Sequence, residues 1–96
     1  MKMNMDIVKQ ILSLLKKQNF VAFACNGSEY LIQPENNKGW DYLGLWQTAP
    51  KTVGLGKAFF DGMYGPDPDC ISELLHLPCI GGESLMELFE KGKIPF

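Results

Sequence analysis

Three aromatic residues, Trp40, Tyr42 and Trp46, form the densest group of recognition-type side chains in this sequence. In a β-strand alternate residues share a face, so all three would project the same way. Phe59, in the following strand-like run, could join them, with Lys57 among the rings. An open face of this kind is a flat apolar platform suited to a protein partner, because Trp and Tyr dominate binding hot spots. The same rings could stack bases. Buried aromatics are also the ordinary filling of a small core, and on that reading the terminal helices cover the stripe. Both faces of the second hairpin read as apolar, so either helices cover both or one face is an interface.

Other groups carry weaker chemistry. Gly54-Leu55-Gly56-Lys57 has neither the glycine spacing nor the Gly-Lys-Ser/Thr ending of a phosphate loop, and it reads as strand. Its glycines fit close backbone packing. Cys70, His76 and Cys79, with Cys25, number four potential zinc ligands, but no Cys-x-x-Cys pair is present and Pro78 interrupts the spacing. No metal or other cofactor is expected. Cys70 falls in the first turn of an expected helix, where the dipole lowers a thiol pKa. Asp67 and Asp69 oppose that effect, and His76 stands six residues on, rotated off the face of Cys70. Asp61, Asp67 and Asp69 lack the alternating ligand series of a calcium loop, and turn and capping chemistry accounts for them more simply.

Charge narrows the partners. The net charge is −2 and the pI about 5.2. All nine basic residues are Lys, so the bidentate Arg fork that reads phosphate and guanine is missing. A nucleic-acid partner is therefore not expected. Residues 61–90 carry Asp61, Asp67, Asp69, Glu73, Glu83, Glu87 and Glu90 with no Lys, a surface that could attract a basic partner or simply be solvated. The three cysteines lack the dense spacing of a secreted scaffold. No run reaches the roughly 18 apolar residues of a membrane span. The expectation is a cytoplasmic protein with reduced thiols and no membrane partner.

The elements that must position these residues follow from pattern. A single domain over 1–96 is expected, of α+β class. Asn4 or Asp6 would cap a first helix to about Gln18, with Ile7, Val8, Ile11, Leu14 and Leu15 on one face. A four-stranded antiparallel meander over about 20–60 follows. Asn26-Gly27 marks a two-residue turn that pairs Phe23 with Tyr30 and Val21 with Ile32. The second strand ends at Gln33, and 34–39 is a polar turn. An even loop after Gln47 would align Trp46 with Val53, Tyr42 with Lys57 and Trp40 with Phe59; an odd loop or a bulge would swap the faces. Two short helices close the chain. Asp67 and Pro68 start the first, Ser84 and Glu87 form a capping box on the second, and Gly92 stops it. Lys93–Phe96 would be a final extended piece.

On function, the sequence favours a non-enzymatic interaction domain, of inhibitor or immunity type or an adaptor. Its contact surface would be the aromatic stripe with Lys57, or the acidic surface of Asp67, Asp69, Glu73 and Glu87. A homodimer through an exposed sheet face is one form of this reading. The alternative is a small-molecule site, or a thiol-dependent enzyme, between the sheet and the 61–79 segment.

Overall fold

A computed structural model describes residues 2–92. It shows helix α1 (Lys2–Gln18), strands β1 (Val21–Cys25), β2 (Ser28–Asn37), β3 (Trp40–Ala49) and β4 (Val53–Phe59), then helices α2 (Pro68–Leu75) and α3 (Leu85–Glu90). The strands form one antiparallel sheet in the order β1-β2-β3-β4. This is the expected α+β meander with helices at both ends. The extended piece expected at Lys93–Phe96 lies outside the described residues.

Local chemistry sets the boundaries. Helix α1 begins at Lys2, so Asn4 and Asp6 lie inside it and neither is its cap. It ends at Asn19, whose positive φ of 66° and N–H to the Leu15 carbonyl (2.9 Å) make a left-handed stop. Helix α2 starts as expected: Asp67 accepts the Cys70 N–H at 2.7 Å, with Pro68 at the first position. Helix α3 has its capping box. Ser84 Oγ accepts the Glu87 N–H at 3.1 Å, and Glu87 Oε1 accepts the Ser84 N–H at 2.9 Å. Gly92, with φ of 73°, closes that helix.

The first hairpin has the expected register, Val21 opposite Ile32 and Phe23 opposite Tyr30. Asn26 and Gly27 both have positive φ, 53° and 82°. The second hairpin differs from expectation. Strand β2 continues through Pro34 to Asn37, and Lys38-Gly39 (φ 54° and 87°) makes the turn. Pairing with β1 ends at Val21 opposite Ile32, so at Pro34 the strand has a neighbour on one side only, where Pro is tolerated.

The β3–β4 register is also corrected. Tyr42 opposes Phe59, Gly44 opposes Lys57 and Leu45 opposes Gly56, a shift of two residues from the expected pairing. Five residues separate Gln47 from its partner Val53, an odd connection, and Leu55 is an extra residue between Gly54 and Gly56. Each change alone swaps the faces. Together they cancel, so Lys57 and Phe59 share a face with Trp40, Tyr42 and Trp46.

The helices form one layer. Val8, Ile11 and Leu15 of α1, Ile71, Leu74 and Leu75 of α2, and Leu85, Leu88 and Phe89 of α3 are buried with Val21, Phe23, Ile32, Leu43, Leu45 and Ala58 of the sheet. Small residues let α2 sit close: Cys70 Sγ donates to the Ala58 carbonyl at 3.3 Å, and a Cβ on Gly56 would come within 2.7 Å of Leu77. Phe89 packs on Phe23, which stacks on Tyr30 at 5.4 Å. The aromatic stripe is on the opposite face, so the core reading of Trp40, Tyr42 and Trp46 is overturned. Trp40 is 67% exposed, whereas Leu43 and Leu45 are fully buried. Truncation separates the two faces. Leu45→Ala should lose about 3 kcal/mol, and Trp40→Ala less than about 1 kcal/mol, in urea unfolding at constant m-value.

Candidate functional site

The open face is built from alternate residues of three strands. Gln33, Glu35 and Asn37 of β2 oppose Gly44, Tyr42 and Trp40 of β3, and Lys57 and Phe59 of β4 oppose Gly44 and Tyr42. Glu35 is its polar centre. One carboxylate oxygen accepts the Tyr42 hydroxyl at 3.0 Å. The other accepts the Trp46 indole N–H at 2.5 Å and the Gln33 side-chain amide at 3.1 Å. Gly44 lies beneath this network. A Cβ there would stand 2.6 Å from the Glu35 carboxylate and 2.9 Å from the Trp46 ring nitrogen. The Trp46 ring also covers Gly54, at 3.4 Å from where a Cβ would be.

Partial burial pushes the Glu35 carboxyl up, but the donors from Gln33, Trp46 and Tyr42 and the charge of Lys57 together outweigh it. Its pKa falls below the ordinary glutamate value. Tyr42 is pushed up, because it would lose its hydrogen bond to Glu35 on ionising and would face that carboxylate as an anion. The ionised carboxylate holds the Tyr42 hydroxyl and the Trp46 indole N–H across the face.

The outer end of the face is apolar. Trp40 and Phe59 meet edge to face at 6.0 Å, as do Tyr42 and Phe59 at 5.8 Å. The Lys57 ammonium stands 5.1 Å from the Tyr42 ring centre and 5.9 Å from that of Phe59. Just past this end, Asp61 shapes a turn by accepting the Met63 N–H on its side chain and the Tyr64 and Gly65 N–H groups on its carbonyl. Met63 and Tyr64 are more than 80% exposed there. Trp40 and Phe59 are among the large exposed apolar side chains of the described residues.

The other expected residues are placed as follows. Asp67 caps α2 and Glu87 is held in the α3 capping box, while Asp69 and Glu73 lie exposed on α2. Cys70 is buried against Ala58, and its thiol is pushed up to about 11 by burial, then by Asp67 and Glu73. His76 Nδ1 lies 2.7 Å from the Ser72 carbonyl, which can only accept, so that nitrogen carries the proton. Among the described residues no three His, Cys, Asp or Glu side chains gather as metal ligands. A cleft of about 320 Å³ lies beside Tyr64, Gly65 and Pro66, bounded by Leu12, Leu15 and Pro34, and Cys70 does not line it. No described helix is long and apolar enough to cross a membrane. No protein-family model matches the chain, and neither a curated protein nor a solved structure does.

Glu35 was the residue that sequence reasoning missed. The signal was its position two residues from Gln33 and Asn37, which continues the β2 alternation past Pro34.

Two outcomes follow. Because the folded pKa of Glu35 is depressed, its stabilising effect is complete above the usual glutamate pKa of about 4.3. It is lost as pH falls through the lower folded value. In NMR the Trp46 indole N–H should titrate with a midpoint below that usual value, and Glu35→Gln should abolish the titration. Separately, about one Cys70 in ten thousand is ionised at pH 7 given its raised pKa, so a maleimide should label it far more slowly in the folded than in the unfolded domain.

Proposed function

We propose that this domain is a small non-enzymatic interaction module that binds a protein partner through the open face of its sheet. It acts as an inhibitor or immunity-type protein, or as an adaptor subunit. One observation carries the reading: two half-buried aromatic rings of the open face, Tyr42 and Trp46, are held by a carboxylate of the same face. A solvated sheet face needs only Thr, Lys and Glu in alternation. Here Tyr42 and Trp46 are tied to Glu35 instead, and Trp40 and Phe59 are left bare beside them. Rings fixed before contact lose less entropy on binding, which favours tight recognition. Trp and Tyr are the side chains most often found at such hot spots.

Cys70, the thiol that covalent catalysis would use, is in the core. The three cysteines are free, in keeping with a reducing, cytoplasmic setting.

The test is capture of a partner from the host cytosol, followed by affinity measurement on variants. Trp40→Ala should weaken binding by about thirtyfold or more, a hot-spot effect of at least about 2 kcal/mol, with the domain still folded. Asp69→Lys with Glu73→Lys should bind as before. Loss of binding in that double variant, with Trp40→Ala unaffected, would move the interface to the acidic surface.

A further inference from the structure

We propose that the cleft at the outer end of the open face takes an acidic peptide segment bearing an apolar anchor side chain. The inference rests on the interaction-module reading and adds the chemistry of the partner. The cleft measures about 360 Å³ and is lined by Asn37, Lys38, Trp40, Tyr42, Lys57 and Phe59. Its charged lining groups are two lysines, with no carboxylate among them. Neither Lys38 nor Lys57 has an ion-pair partner within 4.0 Å among the described residues. Glu35, the carboxylate of this face closest in the network, already has both oxygens occupied by Tyr42, Trp46 and Gln33. The Lys57 ammonium, resting over two ring faces, keeps donors that no oxygen of the described residues fills. An apolar side chain would seat against Trp40 and Phe59, while flanking carboxylates reach Lys57 and Lys38.

A single-stranded nucleic acid fits less well. Lys57 stands over the Tyr42 and Phe59 rings, where a base would stack. Two lysines are also a short track for a phosphate backbone.

The test is titration of the 15N-labelled domain, followed by NMR. The probes are a blocked peptide of glutamates around a Leu-Leu pair, its lysine counterpart, and an oligo-thymidine strand. The acidic peptide alone should shift the Trp40, Tyr42, Lys57 and Phe59 signals. Lys57→Glu should weaken that binding about thirtyfold, since it changes two unit charges, each worth about 1 kcal/mol at contact distance in water. Lys51→Glu, the same charge change at an exposed lysine outside the cleft lining, should leave it intact.

No shift at millimolar peptide overturns the inference, as does equal weakening by Lys51→Glu. If the lysine peptide, the oligonucleotide or a second copy at rising protein concentration moves these signals instead, the acidic-partner inference falls. The reading of the face as an interaction surface fails separately, when Trp40→Ala leaves the affinity of a captured partner unchanged.

Discussion

Among the described residues, three helices of 17, 8 and 6 residues lie against a four-stranded sheet, and they cover one face. Everything else in the structure follows from that one-sided cover. Val21, Phe23, Ile32, Leu43, Leu45 and Ala58 all point into the single helix layer. Gly56 and Ala58 let α2 and Leu77 approach β4 closely, so the layer seats without a gap. The second face must then live with water, although its residues include two Trp, a Tyr and a Phe.

Hydrogen bonding and charge make that arrangement workable. Tyr42 and Trp46 each carry a polar handle, and both handles end on Glu35. Half-burying a carboxylate is unfavourable, but three donors and the charge of Lys57 more than offset the cost, which is why its pKa falls rather than rises. Gly44 supplies the room: any side chain at that position would push Glu35 and Trp46 apart. The face is thus an ordered surface whose geometry depends on one ionised group.

Much of this fold was legible because short-range chemistry fixes it. Asn26-Gly27 permits positive φ at both positions, and that alone sets the register of the first hairpin. Asp67-Pro68 and Ser84 with Glu87 define two helix starts by local hydrogen bonds. What failed depended on longer-range circumstances. Pro34 reads as a strand breaker unless it is known that β1 has already ended. Lys38-Gly39 is a weaker turn signal than Asn-Gly, because Lys seldom takes positive φ. The β3–β4 register needed both an odd loop and a bulge at Leu55, and only their sum decides which face Lys57 joins. Whether the stripe was core or surface depended on where the helices went, and α1 and α2 chose the Leu43–Leu45 face. Glu35 escaped notice because it sat in a segment read as turn.

Glu35 holds the Tyr42 and Trp46 rings of the open face in place. Side-chain NMR order parameters for Trp46 and Tyr42 in the free domain and in Glu35→Ala test it most directly. The structure predicts rigid rings in the native domain, near the value of about 0.85 typical of ordered backbone, and values under about 0.6 in the variant, with the sheet amides unchanged. Rings that are equally ordered in both proteins, or mobile in both, would contradict it.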